Sequence, residues 1–526
     1  MSLNNRLALL QNSAQLNMLC HIVRGIEKES LRVTPSGHIA TTPHSKALGS
    51  ALKHPSITTD YSEALLEFIT APSSSIDKVL LELDQIHRFS YRQIDNELLW
   101  VSSMPCQLAA DSQIPVAQYG TSNIGTMKQV YRIGLGHRYG RAMQTISGIH
   151  YNFSVPDTLW QELQKHSNQN QQSLQDFKSE GYFAAIRNFR RYSWLLLYLL
   201  GSAPAVCRSF VANRKHRLVP FGTDDHSLHC PYATSLRMGD LGYQSNAQSS
   251  LVISYNSLEQ YTASLRKALE KPYAAYDKIG LKDQQGKYRQ LNTHLLQIEN
   301  EFYSAIRPKR TTEPNETPLQ ALDRRGVEYI EVRCIDVNPL LSCGIDAETI
   351  RFLDTFLMFC LLSDSPSSND LENIQMPENM LRTVYAGRDP ELQLMRDQGQ
   401  CRLQDWGAEL LDKMQPVAEI LDRAHQSKDY QSALHKMQAA VDDHQLTPSA
   451  LLLSEMQQHK ETFYAMSMRK AREQREDFLS RELDLDTEQK FIALAKQSLQ
   501  QQQDLEKSEQ LSFDEFLCNY WKSSRA

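Results

Sequence analysis

The sequence has no CxxC pair, no GxxxxGKS/T loop, no strand-borne GxGxxG and no apolar run long enough to cross a membrane. Each absence removes a class of protein. The nine cysteines (Cys20, Cys106, Cys207, Cys230, Cys334, Cys343, Cys360, Cys401, Cys518) are scattered and odd in number, which argues against a zinc knuckle or a secreted disulfide framework. Without a phosphate-cradling loop, P-loop and dinucleotide-fold readings are weak. The most apolar stretch starts at Trp194 and ends by Val206, well short of the roughly 20 residues a membrane helix needs. The N-terminal MSLNNRLALLQNSAQLNMLCH is interrupted by Asn, Arg and Gln before a signal-peptide core could form, and reads as a first helix. Charge of either sign is in little excess: 56 basic residues face 62 acidic ones, a net charge of -6, so nothing draws the chain generally to nucleic acid or to an anionic membrane. The expectation is a cytoplasmic protein with neither kind of partner.

What is present is an ordinary globular composition, 41% hydrophobic and 22% charged over 526 residues, with no internal repeat and no Gly/Ser- or Pro-rich linker. One shift divides the chain. Up to about residue 370, short β-like runs alternate with helices; beyond it, stretches such as EILDRAHQSKDYQSALHKMQAAVDD are helical and polar. We therefore expect a catalytic domain over 1–370 and a helical C-terminal region over 371–526 packed on it. Strands are predicted at 25–33, 65–72, 148–156, 250–255 and 328–339, and helices at 75–97, 181–201, 257–270 and 347–363. The strands are irregularly spaced, which does not support a βαβ repeat. An α+β protein with a mostly antiparallel sheet and outer helices follows.

The chemistry lies in acids on these strands. In GIEKESLRV, Glu27 and Glu29 are two residues apart, so both carboxylates share one face of a strand. Taken alone, that pair also fits a solvated strand face. TTDYSEALLEFIT adds Asp60, Glu63 and Glu67, with Glu67 between Leu66 and Phe68 where the chain turns apolar. EYIEVRCIDVNP sets Glu331 and Arg333 on one face, and GIHYNF does the same for His150 and Asn152; each is also open to a structural reading as an ion pair or a satisfied core group. Several strands giving one or two acids each suit magnesium, which takes oxygen ligands and keeps substrate phosphates in its shell. A histidine ligand would favour tolerance of manganese. IRPKR, with Arg307, Lys309 and Arg310, together with Arg132, Arg237 and Arg333 in apolar or turn settings, supplies candidate anion contacts, although IRPKR reads equally as a solvated basic turn.

The stretches RGIEKESLRV, ALGSALKHPSITTDYSEALLEFITAP, SMPC, AQYGTSNIGTMKQVYRIGLGHRYG, MQTISGIHYNFS, PYATSLRMGDLGY, LQIENEFYSAIRPKR and GVEYIEVRCIDVNP resemble the bacterial glutamate–cysteine ligase family of the γ-proteobacterial type. They run in family order from about residue 24 to 340; beyond about 370 only the general helical character is shared. The resemblance implies a glutamine-synthetase-like curved, mainly antiparallel sheet forming a funnel for ATP and metal ions. It implies metal ligands Glu27, Glu29, Asp60, Glu67, His150 and Glu331, and contacts of Arg237 and Arg333 with substrate and transferring phosphate. Tyr131, Gln144, Tyr243 and Tyr303 would line the amino-acid pocket, with Tyr61 standing where the family's cysteine pocket would have Phe. Arg132 and Asn152 would contact the nucleotide. Pocket tyrosines also fit a core with satisfied hydroxyls.

The activity implied is ATP- and Mg2+-dependent joining of the L-glutamate γ-carboxylate to the L-cysteine amine through a γ-glutamyl phosphate, the first step of glutathione synthesis, with glutathione a candidate feedback inhibitor. A carboxylate becomes an acyl donor only once its oxygen is made a leaving group, and phosphoryl transfer depends on positioning and charge neutralisation rather than on a protein nucleophile. Two other readings stand beside it: a ligase of the same fold with another amine acceptor, and a regulatory homologue without turnover.

Overall fold

The computed structural model describes residues 2–108, 110–167, 171–212, 214–222, 225–242, 247–248, 251–313 and 316–525, with side chains to 522. Its centre is a seven-stranded sheet of β1 (Val23–Val33), β2 (Ile57–Thr59), β3 (Leu65–Ile69), β4 (Leu98–Leu99), β5 (Ile149–Ser154), β6 (Ile306–Lys309) and β7 (Tyr329–Ile335). In space the order is β2-β3-β1-β5-β7-β6, with β4 pairing the end of β1, and every pairing is antiparallel.

Register follows from alternation. Glu29 lies opposite Glu67 and Glu27 opposite His150, while Gly25 and Glu331 flank Asn152 from either side. Arg307 faces Glu331 across the next pair. Between Val332 and Ile335 the register slips, the kind of irregularity that re-aims a side chain; Arg333 sits in it. The other face carries Ile26, Leu66, Phe68, Ile149, Tyr151, Ile330 and Val332, all fully buried. Each such side chain contributes about 1.5–3 kcal/mol of burial.

Helices cover that apolar face. They include α1 (Leu3–Leu9), α2 (Ser13–Leu19), α3 (Ile76–Tyr91), α5 (Leu174–Leu200), α6 (Leu258–Glu270) and α7 (Ala347–Leu362), whereas α4 (Asn123–Tyr139) packs in a separate apolar cluster. α5 runs against β6 and β7, and α3 against β1 and β3. Charged groups of β1 that point this way are partnered. Arg24 pairs with Asp354 at 2.7 Å, Asp354 also accepts from Tyr151 Oη at 2.6 Å, and Lys28 Nζ lies 2.7 Å from His87 Nε2 and 3.1 Å from Ser30 Oγ.

Beyond residue 370 come α8 (Asp370–Ala386), a hairpin Gln393–Arg402, α9 (Leu403–His425), α10 (Asp429–Asp442), α11 (Phe463–Ser480), α12 (Leu485–Ser508) and α13 (Phe513–Arg525). Leu403, Met414, Val417 and Leu421 of α9 join the same apolar core as the sheet. Phe478 of α11 stacks on His87 of α3, their ring centroids 5.0 Å apart.

Two sequence expectations change. The N-terminal helix is two, because Asn12 caps a second one through Gln15 N. The run at 250–255 forms no strand over its described residues 251–255. Its polar groups turn to side chains of the following helix instead: Ser254 N donates to Ser264 Oγ, and Ser254 Oγ to Gln260 Oε1, the side-chain competition that defeats a short β-like run. The cysteines make no framework, but Cys106 and Cys207 are joined, with Cα atoms 5.3 Å apart. Among the described residues no helix is long and apolar enough to cross a membrane.

Candidate active site

The polar face of the sheet gathers the acids. His150 Nδ1 lies 3.1 Å from Glu27 Oε2 and 3.8 Å from Glu331 Oε1, and Asn152 Nδ2 donates to Glu27 Oε1 at 2.9 Å. Ligand atoms of Glu27, His150 and Glu331 all lie within 4.8 Å of one another. Burial and the neighbouring Arg333 pull the imidazole below its usual pKa, which keeps the ring neutral at physiological pH. A neutral ring that donates from Nδ1 to Glu27 leaves a lone pair on Nε2, and that buried atom has no hydrogen-bond partner. An imidazole oriented by a carboxylate with its other nitrogen free is how metal-binding histidines are held. The buried Asn152 Oδ1 is likewise without a partner.

Glu331 is buried against two cations. Lys309 Nζ sits 3.2 Å from its Oε1 and Arg333 Nη1 3.0 Å from its Oε2; burial opposes its ionisation, but Lys309, Arg333, His150 and Arg307 together hold it well below the usual carboxylate range. Glu29 accepts the Gly148 N–H at 2.6 Å, and burial, reinforced by Asp60, pushes its carboxyl up to about 8. Burial and the neighbouring Glu27, Asp60 and Glu29 drive Glu67 well up too. Acids that must share a buried space in this way call for a cation, and the oxygen-rich donor set fits magnesium.

Arg237 closes the site from behind. It is buried, donates to the Arg333 carbonyl at 2.9 Å and lies 3.7 Å from Asp336. Only glycine fits at 148, where a Cβ would collide with the Arg237 guanidinium. Arg333 and His150 also line a cavity of about 200 Å3 with Tyr303, Met238, Tyr255 and Arg190. Gln144 Nε2 donates to Tyr303 Oη at 3.3 Å.

Asp60 lies in the β2–β3 turn at the far end of the acid row. The Arg132 guanidinium meets the Asp60 carbonyl, stands 3.9 Å from its carboxylate and lies 4.6 Å over the Tyr119 ring. Arg132 is thereby brought to the acids of β2–β3 rather than to Asn152, which serves Glu27. Tyr131 is largely buried on the same helix, and Tyr61 is 1% exposed with a hydroxyl that has no partner. Tyr243 lies outside the described residues.

Of the IRPKR cations, Lys309 is set on Glu331 by the β6–β7 register, a pairing that composition cannot show. One cation goes beyond those expected at the site. Lys128 stands 5.2 Å over the Tyr119 ring; its spacing of four from Arg132 on one helix is the signal that could have found it. Arg307, by contrast, turns to the carbonyls of Asn300 and Phe302. Burial pushes the Cys334 thiol up to about 12, so this cysteine beside Arg333 is an inert thiol rather than a nucleophile.

An antiparallel sheet with clustered acids and arginines on one face is an arrangement that can hold a cation against an anionic substrate. A family model described as glutamate–cysteine ligase matches residues 7–383. A glutamate–cysteine ligase of Alcanivorax borkumensis is 51% identical over 523 residues, covering 99% of this chain and 99% of that protein. One from Saccharophagus degradans is 49% identical over 514 residues, covering 98% and 97%. The crystal structure of a glutamate–cysteine ligase from Francisella tularensis in complex with AMP superposes with a TM-score of 0.90 at 39% identity, over 96% of this chain and 98% of that one. The chain belongs to the glutamate–cysteine ligase family.

Proposed function

We propose that the protein joins the γ-carboxylate of L-glutamate to the amine of L-cysteine with ATP, through a γ-glutamyl phosphate, releasing γ-glutamylcysteine, ADP and phosphate. The observation that carries this reading is the convergence of Glu27, His150 and Glu331 from three adjacent strands, with His150 Nε2 free. Glu27, His150 and Glu331 would hold one magnesium, and Glu29, Glu67 and Asp60 a second; manganese would be tolerated through the imidazole. Bound magnesium supplies charge neutralisation to phosphoryl oxygens.

The chain's own groups do the rest. Arg333 and Lys309, already set on Glu331, offer fixed positive charge to the transferring phosphoryl group, where positioning and neutralisation supply most of the catalysis. Arg237 holds Arg333 through its carbonyl. Asn152 remains the nucleotide candidate, its Oδ1 unpartnered, whereas Arg132 serves by positioning Asp60. Tyr131, Gln144, Tyr303, Tyr61 and Tyr243 would line the amino-acid pocket and exclude water that would hydrolyse the acyl phosphate. Glutathione contains the product's γ-glutamylcysteine unit, which supports feedback at this pocket. The absence of a spanning helix among the described residues agrees with a cytoplasmic location.

Purified protein given ATP and Mg2+ should release ADP only when glutamate and cysteine are both present, with one dipeptide per ADP. ADP release without dipeptide, or with an amine other than cysteine preferred, would replace this reading by one of the alternatives.

A further inference from the structure

The C-terminal helices reach the one helix that carries both Tyr131 and Arg132. At the start of α4, Ser122 caps the helix by accepting from Gly125 N at 3.2 Å, but the N–H groups of the first turn have no partner within the helix. The first of these, and that of Thr121 just before the cap, are met from nearly 400 residues away. Glu509 Oε2 accepts from Asn123 N at 2.6 Å and Glu506 Oε1 from Thr121 N at 2.8 Å, while Asn123 Nδ2 donates to the Leu511 carbonyl at 3.0 Å. A carboxylate at a helix N-terminus also complements the helix dipole. Gly120 makes room for this approach: its φ is +80°, and a Cβ there would collide with the side chains of Gln502 and Glu506.

One turn further along, Leu517 and Tyr520 of α13 share an apolar cluster with Met127, Val130 and Tyr131 of α4. Asp514 ties the start of α13 to Lys282, at 3.0 Å, and to Tyr288. This cluster is separate from the main core, which holds the sheet and the other C-terminal helices. The tail therefore bears on α4 without being needed to bury the sheet.

We propose that Glu509 and α13 are positioning residues for the cysteine end of the site: they fix α4, and through it hold Tyr131 in the pocket and Arg132 against Asp60. This rests on the ligase reading, on Tyr131 lining the amino-acid pocket, and on Tyr61, the residue expected at the cysteine pocket, whose hydroxyl lies against Gly136 of α4. Loss of the clamp loosens the pocket for cysteine more than it affects the phosphate-side candidates Asn152, Lys309 and Arg333, which lie on β5, β6 and β7.

The test measures KM for cysteine, glutamate and ATP together with kcat and Tm in the full chain carrying Glu509→Ala, Glu509→Gln or Leu517→Ala. Glu509→Ala should raise the cysteine KM about tenfold with kcat within about twofold, leaving the ATP KM and the main unfolding transition in place. Glu509→Gln, which keeps an accepting oxygen, should recover part of that loss. Leu517→Ala should move the cysteine KM in the same direction by a different contact. Three unchanged KM values would overturn the proposal, as would KM values that rise together with a fall in Tm, which is the mark of a purely structural role. Absence of dipeptide from the unsubstituted protein would instead defeat the ligase reading.

Discussion

Strand β1 puts charge on both of its faces and treats the two differently. On one face Arg24 and Lys28 are buried with partners in place: Asp354 at 2.7 Å for the first, Ser30 and His87 for the second. On the other, Glu27, Glu29 and the acids beside them crowd like charges together, and His150 Nε2 and Asn152 Oδ1 have no partner. Burying a charge is tolerable when its partners are built in. A face where acids crowd one another and polar atoms beside them stay unpartnered is held for something brought from outside, and this contrast separates the two faces along eleven residues of one strand.

The comparison breaks first at Glu331. Glu331→Gln should lower turnover at least about a hundredfold, more than loss of an outer-shell group costs, while the protein stays folded; turnover retained at saturating magnesium would remove this residue from the site. Asp354→Asn on the opposite face should do the reverse. Breaking a fully buried pair costs about 3–5 kcal/mol, read as a lower Tm, with kcat per folded molecule unchanged. A loss of kcat at full stability would mean that both faces serve the chemistry.

Titration sharpens the same contrast. Glu29, with its carboxyl pushed up to about 8 by burial, keeps a proton in the metal-free fold that the unfolded chain gives up near its ordinary value of about 4.3. Folded stability from this group is complete below the lower value and is lost as pH rises through the upper one. Glu67 acts in the same direction, whereas Glu331 is ionised throughout that window. A cation replaces the proton, so magnesium should raise Tm more at pH 8 than at pH 6. Equal stabilisation at both would contradict the assignment of Glu29 as a ligand. The smallest effect is expected at Tyr61. Its hydroxyl is buried without a partner, and Tyr61→Phe should be neutral or stabilising by about 1 kcal/mol, with a shift in cysteine KM as the readout of its place in the pocket.

Much of the front face was legible in advance because strand periodicity assigns faces: Glu27 with Glu29, His150 with Asn152 and Glu331 with Arg333 could each be paired from spacing alone. What spacing cannot provide is strand order. Glu27, His150 and Glu331 meet because β5 lies between β1 and β7, a long-range pairing with no local signature. The same limit hid the pairing of Lys309 with Glu331 and the approach of Arg132 to Asp60. The segment 251–255 misled because a short apolar run does not distinguish a strand from a loop whose polar groups find side-chain partners. Glu506 and Glu509 look like any solvated helix charges in QQQDLEKSEQ, and only the fold brings them to Thr121 and Asn123.

The central claim is that this acid-lined face activates a carboxylate by phosphorylation. Glutamate carrying 18O in its γ-carboxylate, turned over with ATP, magnesium and cysteine, tests it directly by mass analysis of the phosphate, the nucleotide and the dipeptide. A γ-glutamyl phosphate requires one labelled oxygen to leave in inorganic phosphate, with ADP unlabelled. Label found in AMP, or phosphate released without any label, would contradict the account.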